Sequence, residues 1–258
     1  MNIWNAVLLG IVQGLTEFLP VSSSGHLILI SEIFGIAESN MFFSVMLHFG
    51  TLMAVLVFYF KELLGLLSKE GMKTVGFLAL ASVPAALTGL LLGDMVDSVF
   101  SDSTYLCFTF MATAVLLLII EIYGRDIKNP VKIGWKHSLF MGVMQGIAIV
   151  PGLSRSGFTI SGGLAAKGER NEVAKFSFFM SIPVILGAFV LELIKADFSE
   201  IFWLPTIIGM AAAFISGLAA ISFMLKIIGK CNFKWFSLYL AAVSILTYVN
   251  NYVTAIWS

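Results

Sequence analysis

Charge is what this chain has least of. Lys, Arg, Asp and Glu make up 12% of its 258 residues, hydrophobic residues make up 59%, and the mean hydropathy is +0.98. A soluble core of this length needs no such apolar excess, so the composition excludes an ordinary globular domain and places the chain in the membrane. Cysteine is nearly absent. Cys107 and Cys231 lie in or beside different apolar runs with no CxxC or Cys/His spacing, so neither a disulfide nor a metal site follows and both read as packing residues. Basic residues are missing from the first 60 positions, and the first 20 carry Gln13 and Glu17 with no small-x-small site before the serines, so no cleavable leader is expected.

What is present is six apolar stretches, at 41–60, 74–93, 105–123, 176–194, 203–225 and 235–257. Each is near the roughly 20 residues a helix needs to cross the hydrocarbon. Thirteen of the fifteen basic residues fall in four loops: Lys61, Lys69 and Lys73; Arg125, Lys128, Lys132 and Lys136; Lys167, Arg170 and Lys175; Lys226, Lys230 and Lys234. Those loops are expected to be cytoplasmic, and the connection holding Asp94, Asp97 and Asp102 is expected outside with the first 60 residues. His48, within a span, and His137, beside a basic loop, read as packing residues.

Two serine- and glycine-rich segments repeat. Gly10, Gln13, Gly14, Ser22, Ser24 and Gly25 in GIVQGLTEFLPVSSSGH recur 132 positions later as Gly142, Gln145, Gly146, Ser154, Ser156 and Gly157 in GVMQGIAIVPGLSRSGF. The spans repeat at nearly the same offset, so the chain reads as one membrane domain, 1–258, built from halves of about 1–125 and 133–258. Threading three spans between the segments opposes their orientations, which makes the repeat inverted. Pro20 and Pro151 interrupt the apolar runs, and the stretch 27–35 is short for a crossing, so each segment reads as a re-entrant pair of short helices around a break. Such breaks survive at membrane depth only where protein or a water-filled cavity satisfies them, and the two are expected to meet, as in inverted-repeat transporters. The expected fold is all-α, with six transmembrane helices and two re-entrant hairpins.

Glu17, Gln13, His26 and Arg155 are strongly polar groups in apolar sequence, where a charge costs about 2.5–3.5 kcal/mol on insertion scales. Gln13 and Glu17, at i and i+4, share a helix face. Ser22, Ser23, Ser24 and Gly25 open the next short helix, whose N–H groups and positive dipole end suit an anion. Arg155, between Ser154 and Ser156, brings a planar fork of donors suited to phosphate. Each residue also has a plainer role: Ser/Gly clusters often serve close packing, His26 suits a core histidine bonded to a carbonyl, Arg155 a structural counter-ion to Glu17, and Gln145 the polar partner of Gln13. Their coincidence at two symmetry-related breaks is not required by packing, and it points to phosphoryl chemistry.

At these residues the chain resembles a known family. QGLTEFLPVSSSGH and PGLSRSG resemble the two signature motifs of the bacterial undecaprenyl-diphosphate phosphatase family, also called bacitracin-resistance proteins, and the likeness extends over the whole chain in motif order, spacing and span number. It implies a multi-pass enzyme of the bacterial cytoplasmic membrane that removes the terminal phosphate of undecaprenyl diphosphate and regenerates the monophosphate carrier for peptidoglycan synthesis. The family's motif roles fall on Glu17 in the (E/Q)xxxE element, on Ser22, Ser23, Ser24, Gly25 and His26, and on Ser154, Arg155 and Ser156. Many members carry Glu at the position of Gln13, which weighs against a two-carboxylate metal site here.

Residues and resemblance together suggest Arg155 and backbone N–H groups neutralising the diphosphate, with Ser22, Ser24, Gly25, Ser154 and Ser156 binding phosphate. A divalent cation, Mg²⁺ or Ca²⁺, would bridge the phosphates, Glu17 and the neutral oxygen of Gln13. Ser23 or a water then attacks, with His26 as acid or base; a phosphohistidine at His26 stays open. The expected partners are a polyprenyl diphosphate lipid and the bilayer; a homodimer is left open and no nucleic acid is expected. One rival is a carrier that flips polyprenyl phosphate. Another, the lipid-phosphate phosphatase type, needs a KxxxxxxRP motif that is absent and a histidine where this chain has Ser161.

Overall fold

A computed structural model describes residues 2–36, 41–99, 103–123, 130–196, 198, 201–228 and 233–254, without the side chains of residues 94 and 97–99. Asp102, Arg125, Lys128, Lys230 and Cys231, and the side chains of Asp94 and Asp97, therefore lie outside the described residues.

The chain forms α1 (Ile3–Phe18), α2 (Ser23–Ile33), α3 (Met41–Phe58), α4 (Phe60–Gly65), α5 (Gly71–Val99), α6 (Leu106–Tyr123), α7 (Trp135–Ile147), α8 (Arg155–Ala165), α9 (Arg170–Lys195), α10 (Trp203–Ile228) and α11 (Phe233–Val249), the last running into a π turn at Asn250–Thr254. Helix is the natural state of such sequence, because apolar surroundings leave backbone N–H and C=O groups no partner but each other. Six helices, α3, α5, α6, α9, α10 and α11 with its π turn, are long and apolar enough to cross a membrane, and the six expected spans fall on them. This is a multi-pass membrane protein. Its outer face is correspondingly apolar: Trp4, Leu91 and Ile194 are each more than three-quarters exposed.

Pro20 and Pro151 lie in breaks between short helices, whereas Pro84 and Pro183 lie inside α5 and α9, which continue through them. The helix starts also differ from expectation. α9 begins at Arg170 because the Glu169 carboxylate accepts from the N–H groups of Asn171 and Glu172 at 3.2 and 2.8 Å, capping a turn that the basic residues had suggested was loop. Arg170 and Lys175 therefore ride on the helix, with Lys175 paired to Glu172 at 2.8 Å.

Matching elements pack reciprocally. α1 lies along α10 and its counterpart α7 lies along α5, while α6 pairs with α11 and α3 with α9. Small residues let the first two crossings close: Gly10 and Gly14 meet Gly209, Ala213 and Gly217, and Gly142 and Gly146 meet Ala81 and Pro84. Glu121, a buried carboxylate in α6, has a structural task, accepting from the Phe233 N–H at the start of α11 at 3.1 Å.

Candidate active site

The two breaks stand against each other inside the bundle. α2 and α8 are both 11 residues long and open 132 positions apart, at Ser23 and Arg155. Each is capped by the preceding serine, Ser22 accepting from the Gly25 N–H at 3.3 Å and Ser154 from the Gly157 N–H at 3.0 Å. The Ser156 hydroxyl donates across to the Leu19 carbonyl at 2.9 Å, and Thr113 of α6 accepts from the Ser154 N–H at 3.2 Å. Gly25 is required by this closeness, since a Cβ there would lie 2.9 Å from Gly152 Cα and 2.7 Å from the Phe110 ring. Gly152 itself has φ +88°, which a side chain would strain.

Glu17, at the end of α1, is the centre of this junction and is only 6% exposed. Its Oε1 pairs with Arg155 Nη2 from the opposite half. Its Oε2 accepts from Ser23 Oγ at 2.6 Å and from Gln13 Nε2 at 2.9 Å. Thus the first helical residues of α2 and α8 hold the two oxygens of one carboxylate. Arg155 is steadied in turn: Nη1 donates to the Ser177 carbonyl at 3.3 Å, and Thr159, which donates to the Arg155 carbonyl at 2.8 Å, has its hydroxyl 2.6 Å from that of Ser177. Burial makes this pairing mutual, because either charge alone would be uncompensated in an apolar interior.

Of the residues singled out in the sequence, Glu17, Gln13, Ser23 and Arg155 come together directly, and Ser22, Ser24, Gly25, Ser154 and Ser156 surround them in the two turns. His26 does not pair with Ser23. Its Nδ1 lies 2.7 Å from the Ser22 carbonyl and its Nε2 2.7 Å from the Tyr239 hydroxyl, so the Ser23 hydroxyl turns to Glu17 instead. Gln145 is not the partner of Gln13 either: Gln13 is committed to Glu17, while both amide atoms of Gln145 are buried without a hydrogen bond. His137 has the packing role expected of it, with Nε2 3.0 Å from the Ala166 carbonyl.

His48 had the same expectation, yet its Nε2 stands 3.6 Å from Glu17 Oε2. The signal for it was available, since a titratable ring at the centre of a span carries the same insertion cost that singled out Glu17. Tyr239, Thr159 and Ser177 carried no such signal. A tyrosine or a hydroxyl on an apolar helix is ordinary; only the fold brings Tyr239 and Ser177 to the site, while Thr159 lies one turn after Arg155 on α8.

For a divalent cation the residues fit in one way. Among the described residues Glu17 is the one carboxylate bonded to Arg155, Ser23 and Gln13, and no cluster of three His, Cys, Asp or Glu side chains is arranged to hold a metal. Gln13 Oε1, however, is buried and without a hydrogen-bond partner, a free oxygen ligand beside that carboxylate. Two oxygens do not make a cage, but they suit an ion that arrives bound to phosphate.

Residues 6–246 match the sequence family described as bacitracin resistance protein BacA. The chain is 42% identical to the undecaprenyl-diphosphatase of Carboxydothermus hydrogenoformans, over 93% of this chain and 94% of that one. It is 37% identical to the undecaprenyl-diphosphatase of Methanobrevibacter smithii, over 97% and 98% of the two chains, and 36% identical to undecaprenyl-diphosphatase 1 of Clostridioides difficile, over 95% of each.

Proposed function

The chain belongs to the bacitracin resistance protein BacA family, and from that membership and the geometry at Glu17 we propose how it works as an undecaprenyl-diphosphatase. It hydrolyses undecaprenyl diphosphate to undecaprenyl phosphate and inorganic phosphate. The observation that carries the site assignment is the Glu17–Arg155 pair joining the two breaks, with the Ser23 hydroxyl on the same carboxylate.

The diphosphate takes the place of the Glu17 carboxylate on Arg155. A phosphate satisfies the guanidinium fork as well as a carboxylate does, and the N–H groups opening α2 and α8 add fixed partial charge. Glu17, freed from Arg155, is then the acceptor for the proton of the attacking hydroxyl: a water held by Ser23 displaces undecaprenyl phosphate and gives inorganic phosphate directly, or the Ser23 hydroxyl displaces undecaprenyl phosphate and the resulting phosphoserine is hydrolysed by water in a second step. Positioning and charge neutralisation supply most of the rate enhancement in such transfers. Glu17 and Gln13 Oε1 would hold a Mg²⁺ or Ca²⁺ ion accompanying the diphosphate, and such an ion, when bound, neutralises phosphate charge.

The same proposal makes the duplication an inverted repeat, with α1–α2 and α7–α8 as re-entrant hairpins in the bacterial cytoplasmic membrane. The reciprocal packing of α1 on α10 and α7 on α5 supports it, as does the shortness of all four hairpin helices. Phosphate release from undecaprenyl diphosphate by the detergent-solubilised protein tests the activity: severely reduced turnover in Glu17→Gln and Arg155→Ala is the expected result, and near wild-type turnover in either folded variant refutes the site. Topology is tested by an impermeant thiol reagent on intact cells. It should reach a cysteine placed at position 97 and not one placed at position 69.

A further inference from the structure

Resting on that site assignment, we infer that His26 and Tyr239 form a brace that holds the Ser22 backbone in its phosphate-binding turn, with His26 fixing the turn rather than carrying a proton or phosphoryl group. The geometry begins with Ser22, whose φ and ψ are 68° and 99°, a strained region for a residue with a Cβ. That conformation aims its side chain at the Gly25 N–H and opens α2 toward Glu17 and Arg155. Such a backbone persists only where its surroundings over-determine it.

His26 supplies the restraint twice, from its backbone N–H at 3.2 Å and from ring Nδ1 at 2.7 Å, both on the Ser22 carbonyl. A carbonyl only accepts, so Nδ1 carries the ring proton. In the neutral ring Nε2 then holds the lone pair, and the Tyr239 hydroxyl donates to it at 2.7 Å. The ring is stacked on Tyr239 with centroids 5.6 Å apart and planes 12° apart, and Phe110 packs beside it at 5.3 Å. Both nitrogens are thus occupied, and neither bonds to Ser23 or Glu17. The second turn supplies the control within the same molecule. Ser154, the counterpart of Ser22, has φ −81° and needs no restraint, and the counterpart of His26 is Phe158, which has no hydrogen-bonding group to offer.

The test compares two isosteres, neither of which titrates. In His26→Asn the amide nitrogen stands near the place of Nδ1 and can still donate to the Ser22 carbonyl; in His26→Gln it stands nearer the place of Nε2 and cannot. With undecaprenyl diphosphate in detergent, kcat and KM measured separately should show His26→Asn within about tenfold of wild type, and His26→Gln with KM raised about tenfold or more. Tyr239→Phe, which keeps the stack and loses the donor, should raise KM several-fold with kcat changed less than about threefold. Equal inactivity of folded His26→Asn and His26→Gln overturns the brace and makes the ring a proton or phosphoryl carrier. Wild-type kinetics in both His26→Gln and Tyr239→Phe overturn it from the other side. Arg155→Ala, run in the same assay, separates these outcomes from failure of the site itself, because its activity is lost whether or not the brace exists.

Discussion

The turn between α1 and α2 and the turn between α7 and α8 are the same device carrying different chemistry. Both open an 11-residue helix with a serine cap, both set a second serine hydroxyl beside the first, at 3.5 and 3.3 Å, and both place glycine at the third helical residue. Of the matched positions where they differ, three change what the turn offers a substrate, Glu17 against Ile149, Ser23 against Arg155 and His26 against Phe158, and the shared pair Gln13 and Gln145 differs in environment only. In the proposed mechanism the acceptor, Glu17, and the hydroxyl of Ser23 stand in one copy and the cation, Arg155, in the other. On that mechanism duplication supplies two facing helix starts suited to an anion, and divergence divides one reaction between them, so that neither half would hold a complete site.

The largest effects are expected where that division is sharpest. Glu17→Gln should lower kcat/KM by about 10³, and Arg155→Ala by about 10²–10³, the scale of losing one positioned charge-stabilising group. Arg155→Ala also strands a buried carboxylate, at a stability cost of about 3–5 kcal/mol; Arg155→Lys, which keeps the charge but loses the fork, should fold and still lose most activity. Steady-state phosphate release together with thermal melting separates the two effects. If Glu17→Gln stays active while Arg155→Ala does not, the turns are two sites rather than one.

A smaller effect distinguishes hydroxyls within the first turn. Ser23, bonded to Glu17, should be worth about 10²-fold in kcat, whereas Ser24, whose hydroxyl meets only Ser22 at 3.5 Å, should be worth less than about tenfold on substitution by alanine. Equal losses would mean that both serines bind phosphate and that a water attacks.

Much of this contrast is legible in the sequence. The six spans, the paired breaks at Pro20 and Pro151 and the i, i+4 pair Gln13 and Glu17 all rest on local pattern, and local pattern is what a sequence displays. What stayed hidden depends on long-range geometry. Tyr239 reaches His26 across 213 positions, and Ser177 meets Arg155 and Thr159 only because α9 folds back on α8. Ser22 is visible as a cap, but its left-handed backbone is not, because a capping serine reads the same in SSSGH as in SRSG, where φ is −81°. His48 reads as a packing residue because its neighbours along the chain are apolar, although across the bundle it faces Glu17.

The smallest effect, and the finest test of the comparison, concerns the two glutamines. Gln13 is fully buried with its Nε2 on Glu17, so Gln13→Met removes a donor that orients the carboxylate, and about a tenfold loss of activity is expected. Gln145, at the matching position of α7, is 3% exposed and neither of its amide atoms is hydrogen-bonded. A buried amide without partners is a desolvation cost with no return, and replacing it by an apolar side chain of similar length removes that cost. Gln145→Met should therefore leave activity within about twofold of wild type and raise stability by about 1 kcal/mol, read as an upward shift in the detergent melting temperature. A destabilised Gln145→Met would mean that its amide is satisfied by water bound in the second turn, and an inactive one would mean that the second copy contributes more to the reaction than Arg155 and its helix start.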